Sequence, residues 1–302
     1  MRRDFTINSM AVPFENLSGD GLKADLLDPA GGLTDLQGGV LRHCGGAFAD
    51  DPVRMVRGFR FQATMGFSLV PETMSAVQEN CSLISRVAPE RIRVELDMIF
   101  SSNKTAATLK DMHATTLLEK LLPELYWGRG VAQPRFHRLD VFDHNMLALE
   151  MMEELIASPE TYFPKAGENL KQYLKDEHVV CGLKWAALLH DIGKPGTRGK
   201  SEKEAGRVTF YGHDEAGKNH FSDFAKRMRW SGRDTDFVAS LIGMHMHPFH
   251  LCNNVRTGGI TKRAALKLCK RAGDRLPALF LLAMADSLAG RGSRNPRIWN
   301  RR

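Results

Sequence analysis

Hydrophobic residues recur at helical spacing through nearly all of this chain, and strand-like alternation is confined to the stretch before about residue 46. From Asp51 the segments DPVRMVRGFRFQATMGF, PETMSAVQENCSLIS, PERIRVELDMIFSS and AATLKDMHATTLLEKLL follow one another as helices, and helical patterns continue to the end. Ahead of them stand FTINSMAV, ADLLD and GVLRHC, which read as short strands separated by the Gly-rich turns NLSGDG and PAGGLTDLQGG. Three strands with so little apolar material make a poor independent sheet. The predicted fold is therefore mostly α, with a small α/β part at the start.

Charge and cysteine use narrow the function classes. The 302 residues carry 42 Lys and Arg against 35 Asp and Glu, a formal charge of +7, which favours a polyanionic partner such as RNA. A hydrophobic fraction of 43% supports real cores and excludes a disordered chain. Cys44, Cys81, Cys181, Cys252 and Cys269 have no short paired spacing. Neither a zinc knuckle nor a disulfide framework is expected, and a reducing cytoplasm fits. No apolar run is long enough to span a bilayer, so no membrane is expected among the partners.

The segment ADDPVRMVRGFRF admits two readings. In the first, Asp51 caps a helix with Pro52 at its first position, and Val53, Val56 and Phe59 face a core. That leaves Arg54, Arg57 and Arg60, which recur every three residues as a basic stripe. In the second, Asp51 and Arg54, three apart, share a face and offer an acceptor beside a donor. Such a pair matches the edge of cytosine or adenine, each with an amino donor next to a ring-nitrogen acceptor, and refuses guanine and uracil.

RRDFTINSMA, LLDPAGGLTDLQGGVLR and DDPVRMVRGFRFQATMGF, in that order, resemble the second, third and fourth motifs of the bacterial tRNA nucleotidyltransferases (CCA-adding enzymes) and related poly(A) polymerases. The base-reading motif of that family is Glu-Asp-x-x-Arg; here it is Asp50, Asp51, Pro52, Val53, Arg54. The resemblance implies ATP and CTP as nucleotides, a tRNA or other RNA 3′-end as partner, and contacts from Arg2, Arg3 and Asp4 to the sugar and triphosphate. It gives base reading to Asp51 and Arg54, with Arg57 and Arg60 beside them. The polymerising motif, whose paired aspartates hold Mg2+ in a complete enzyme, is expected upstream of Arg2, so this chain by itself is not expected to polymerise. Asp234 and Asp236, an Asp-x-Asp late in the chain, read as residues of a helix start.

FDHNMLALE, LKWAALLHDIGKP, FYGHDEAGKNHF, IGMHMHPFH and ALFLLAMADSLAG each place His or Asp at the edge of an apolar helix. Asp286 has no basic residue near it in sequence, and a buried unpaired carboxylate is costly, so a metal is an economical partner. Mixed imidazole and carboxylate ligands suit an open catalytic site. The spacing resembles the HD-domain phosphohydrolases. That resemblance implies His144, His190, Asp191 and Asp286 as ligands of a divalent metal (Mg2+, Mn2+, Ni2+ or Co2+), with His213 and His245 serving a second metal or the substrate phosphate. It also implies Asp191, Lys194 and His213 as the catalytic set. Together the two resemblances divide the chain into a residual nucleotidyltransferase head of mixed α/β structure (1–46), an all-helical neck with the base-reading motif (47–130), an all-helical HD domain (131–290) and a basic tail (291–302). A stand-alone HD phosphohydrolase, or a silent RNA-binding piece, is the alternative.

Overall fold

The computed structural model describes residues 3–13, 26–133, 139–201, 208–257 and 259–291. Arg2, the NLSGDG stretch and the basic tail from residue 292 lie outside them. The fold is mostly α, and it forms two compact units, Met1–Leu122 and Pro123–Arg302. No helix of the described residues is long and apolar enough to cross a membrane.

In the first unit the strand expectations give way to local polar chemistry. FTINSMAV pairs only where Phe5 bridges His43 and Ala11 bridges Leu27, with the turn Thr6–Asn8 between. Asp4 accepts from the Phe5 N–H at 2.9 Å and the Asn8 amide at 3.0 Å, and the Ser9 hydroxyl donates to the Phe5 carbonyl at 3.1 Å. These bonds satisfy the chain locally where a strand would need neighbours. PAGGLTDLQGG, expected as a turn, contains helix α1 (Gly32–Gly38). Asp28 accepts from the N–H groups of Gly32 and Leu33 at 2.6 and 2.9 Å, and a Cβ at Gly32 would overlap the Thr6 carbonyl. GVLRHC yields β1 (Val40–Leu41), and its parallel partner is β2 (Ser68–Leu69), a strand the sequence reading missed.

Between and after these strands come α2 (Ala47–Asp50), α3 (Val53–Met65), α4 (Pro71–Asn80), a 3-10 segment Cys81–Arg86, α5 (Pro89–Ser101), α6 (Thr105–Ala114) and α7 (Leu117–Leu121). Helix α3 packs on α5 and α6 around Phe59, Ile99, Phe100 and Leu109. AATLKDMHATTLLEKLL breaks into α6 and α7 because Thr116 takes a left-handed φ of 59°. Asp51 does not cap α3: the carboxylate accepts from Arg91 at 2.7 Å instead.

The second unit consists of α8 (Pro123–Tyr126), α9 (Val141–Ala157), α10 (Pro159–Tyr162), α11 (Gly167–Tyr173), α12 (Glu177–Leu189), the antiparallel pair β3 (Gly199–Lys200) and β4 (Val208–Thr209), α13 (His213–Arg227), α14 (Gly232–Met244), α15 (His247–Thr257), α16 (Lys262–Ala272) and α17 (Leu276–Arg291). The short hairpin β3–β4 also escaped the sequence reading. Helix α9 packs against α12 and α17, and α14 against α12 and α13. Trp185 anchors this core, 5.6 Å from the Phe224 ring and 5.3 Å from the Trp230 ring. Ser231 caps α14 by accepting from the Asp234 N–H at 3.1 Å, Asp234 pairs with His178 at 2.8 Å, and Asp236 pairs with Arg275. The late Asp-x-Asp therefore serves a helix start and its polar contacts to His178 and Arg275.

Candidate metal centre

Five elements of the second unit meet at one cluster. His144 lies in the first turn of α9, whose start is held by Asp140: its carboxylate accepts from the N–H groups of Asp143 and Gly130, both at 2.8 Å. His190 ends α12 and Asp191 follows it. His213 opens α13, His245 ends α14 and Asp286 lies on α17. The turn after Asp191 reaches α13 because Gly193 has no side chain: a Cβ there would overlap the His213 carbonyl and the Gly217 N–H.

Two groups form within the cluster, His144–His190–Asp286 and Asp191–His213–His245, each with its ligand atoms within 4.8 Å of one another. In the first, the Nε2 of His144 stands 3.2 Å from that of His190 and 3.1 Å from Asp286 Oδ1. In the second, the Nε2 atoms of His213 and His245 are 3.2 Å apart. Asp191 joins them. Its Oδ2 lies 3.5 and 3.3 Å from the Nε2 of His144 and His190, and its Oδ1 lies 3.5 and 3.7 Å from those of His213 and His245.

The chemistry of these atoms calls for cations. Nδ1 of His190, His213 and His245 faces the carbonyl of Ala187, Phe210 and Ile242 at 2.9, 2.6 and 2.7 Å. A carbonyl only accepts, so Nδ1 carries the proton and Nε2 presents its lone pair to the cluster. Lone pairs 3.2 Å apart beside carboxylates repel unless positive charge stands between them. Asp191 Oδ1 is buried and accepts no hydrogen bond among the described residues. Burial by itself lowers the pKa of His190, yet Asp191 and Asp286 outweigh it and push the ring up to about 10, so a proton on Nε2 and a metal ion at that atom exclude one another. Burial and the neighbouring His190 push His245 down to about 4. Burial would raise Asp191 and Asp286, but His190 leads the charges that hold both well below the carboxylate range. Imidazole nitrogens with carboxylate oxygens fit a divalent metal ion of the kind found in open catalytic sites.

Lys194 sits at the rim, its Nζ donating to Asp191 and, at 2.6 Å, to Gln133 Oε1. Sequence reasoning missed Gln133, a loop residue outside every motif, and Asp140. His144, His190 and His245 are sealed from solvent, whereas Lys194, His213 and Asp286 keep 8 to 9% exposure.

The residues singled out in the first unit behave differently from this cluster. Asp51 and Arg54 stand together at the start of α3, Asp51 bound to Arg91 and Arg54 donating to the Ala47 carbonyl at 3.2 Å. Arg57 turns onto Glu95 and Asp4 at 3.0 and 3.3 Å, and Arg60 onto Glu95 at 2.6 Å. Asp4 is buried and Arg3 exposed. Glu95, the carboxylate that gathers the stripe, was not singled out in the sequence.

Comparison with known proteins matches residues 66–127 to the probable RNA and SrmB-binding site of polymerase A, and residues 137–289, just over half of the chain, to the HD domain. An A-adding tRNA nucleotidyltransferase of Deinococcus radiodurans is 33% identical over 297 residues, covering 96% of this chain and 60% of that protein. A multifunctional CCA protein of Actinobacillus pleuropneumoniae is 31% identical over 254 residues, covering 82% of this chain and 54% of its own length. The chain thus spans a little over half the length of these relatives. Among solved structures, the Thermotoga maritima CCA-adding enzyme complexed with tRNA aligns with a TM-score of 0.57 at 18% identity over 96% of this chain and 57% of its own. A tRNA-processing enzyme with CTP gives 0.59 at 20% over 95% and 64%. At that identity the likeness is one of fold.

Proposed function

This chain belongs to the HD domain family, and on that premise we propose that its unit Pro123–Arg302 is a divalent-metal-dependent phosphohydrolase within a protein of the tRNA nucleotidyltransferase kind. Its substrates are RNA 3′-ends, 2′,3′-cyclic nucleotides and small phosphoesters. The observation that supports this reading most directly is Asp191, whose two carboxylate oxygens face two different pairs of imidazole nitrogens.

A divalent ion, Mg2+, Mn2+, Ni2+ or Co2+, supplies Lewis-acid stabilisation of charge on a phosphoryl group when bound. His144, His190 and Asp286 would hold one ion and Asp191, His213 and His245 a second, with Asp191 also facing the first group. The carbonyls on the Nδ1 atoms of His190, His213 and His245 keep those rings turned with Nε2 inward. Lys194 spends two donors on Asp191 and Gln133. Its third faces no acceptor among the described residues and is placed to donate to a phosphoryl oxygen. The phosphoester enters past Lys194, His213 and Asp286, the members of the cluster that reach solvent.

In the unit Met1–Leu122, Asp51 and Arg54 select the base of an incoming CTP or ATP, while Arg57 and Arg60 position α3 through Glu95. RNA and nucleotides as partners rest on the relatives' names and on structure neighbours with tRNA and CTP.

The test is equilibrium dialysis against Mn2+, Ni2+, Co2+ and Mg2+, followed by hydrolysis of bis(4-nitrophenyl) phosphate and 2′,3′-cyclic nucleotides. The expected result is retained metal and turnover in the parent. Asp191→Ala loses metal and falls by on the order of 10³-fold or more, since a ligand to both positions is gone. His220→Ala, whose ring rests against Trp127 at 5.1 Å, keeps both. A parent that retains metal and hydrolyses none of these substrates refutes the hydrolase reading.

A further inference from the structure

Helix α16 reads KRAALKLCKRA. Lys262, Arg263, Lys267, Lys270 and Arg271 are all exposed, and the helix contains no acidic residue. Elsewhere in the same unit Lys171, Lys218, Arg227 and Arg275 each have a carboxylate within 4.0 Å. Among the described residues none of the five cations of α16 does; the one polar partner is His247, whose ring nitrogen lies 2.9 Å from Arg271. Arg263, Lys267 and Arg271 recur at four-residue spacing, with Lys270 three from Lys267, so like charges neighbour one another along the helix. Among the described residues no carboxylate relieves that repulsion.

The apolar side of α16 is already used. Leu268 and Ala272 are buried, and the helix packs on α15 and α17. What faces outward is mainly cationic, with Leu266, 68% exposed, and Cys269 among the charges. A helix that lies in a membrane surface presents the reverse, an apolar face directed outward. A cationic row fits a phosphodiester backbone, whose binding is dominated by charge neutralisation. Helix α16 also packs on α17, the helix that carries Asp286 of the metal cluster.

We propose that the outward face of α16 is an RNA-docking surface that holds the phosphate backbone of the RNA whose end reaches the cluster. The proposal rests on the RNA-end reading of the previous subsection and adds to it the surface.

The experiment uses the whole chain and an unmodified tRNA transcript, with binding followed by fluorescence anisotropy from 50 to 300 mM KCl. Lys262→Gln with Arg263→Gln, Lys267→Gln with Lys270→Gln, and all four together are compared with the parent. A control carries Lys171→Gln and Lys218→Gln, cations of the same unit that already have partners. With about 0.7 to 0.9 units of salt slope per phosphate contact, the fourfold variant is expected to lose about 2 to 4 units. Its affinity at 100 mM KCl is expected to fall by on the order of 10-fold or more. The two half-variants fall between, the control binds as the parent does, and all melt at the parent's temperature, which reports the fold. A parent that binds tRNA and a fourfold variant that binds it equally, with the same slope, overturns the surface and leaves the RNA reading standing. A parent that binds no tRNA at 50 mM overturns both. Binding to vesicles of anionic lipid in place of tRNA, lost in the same variants, overturns RNA as the occupant.

Discussion

At the scale of single residues, the informative side chains are polar groups whose partners lie far away in sequence. Asp4 is the clearest case in the first unit. Burial works to raise its pKa, but Asn8, the Phe5 N–H and Arg57 hold it below the usual carboxylate value. A lowered folded pKa means that this stability is present above the unfolded value of about 3.9 and is lost as pH falls through the folded value. Asp4→Asn is therefore expected to cost about 1 to 3 kcal/mol at pH 6, because the charge-assisted bond to Arg57 goes. Its melting temperature should converge on that of the parent as pH drops below about 4. Melting curves from pH 2.5 to 7 measure this; a gap that stays constant across the range counts against the role of the charge. Glu95 belongs to the same lesson. In ERIRVEL it looks like one more acidic residue of an amphipathic helix, and only packing of α3 on α5 brings it to Arg57 and Arg60.

At the scale of elements, small departures from regular structure decide where the chemistry sits. Asp28 turns a Gly-rich stretch into α1, and Thr116 divides one helical pattern into α6 and α7. The turn from Asp191 to Lys194 depends most on the absence of a side chain, since Gly193 touches the first turn of α13. Gly193→Ala is expected to push α13 away and to lower stability by about 2 to 4 kcal/mol, a backbone overlap being among the costlier single changes. The displaced His213 should weaken one of the two metal positions more than the other. Metal content per chain, read after dialysis against Mn2+, is expected to drop toward half in the variant; full occupancy with unchanged melting would show that the turn yields freely. Periodicity can mark α12, α13 and α14, but close approach of two backbones leaves only a glycine in the sequence as its trace.

At the scale of the whole molecule, every residue of the candidate centre belongs to the unit Pro123–Arg302, as do all four tryptophans, Trp127, Trp185, Trp230 and Trp299. A divalent ion that binds only the folded unit stabilises it by about 2.7 kcal/mol at a hundredfold excess over Kd. Tryptophan-monitored melting is thus expected to shift upward by several degrees with Mn2+ and to return to its metal-free value with EDTA. A melt insensitive to both argues against an ion held by the cluster. Much was legible without coordinates. Helical periodicity, a local signal, determined the mostly α class, while it was the resemblance of the His, His-Asp and Asp spacing to the HD-domain family that pointed to His144, His190, Asp191 and Asp286. The short pairings β1–β2 and β3–β4 were not legible, since a two-residue strand is made by its neighbour and has no pattern of its own. Nor was it legible that Asp51 would meet Arg91, or that Gln133 would meet Lys194. The sequence determined which residues were fit to hold a cation and which helices would carry them. Only tertiary packing decided that one carboxylate, Asp191, stands between two pairs of imidazoles, because that arrangement joins helices up to a hundred residues apart and no local spacing encodes it.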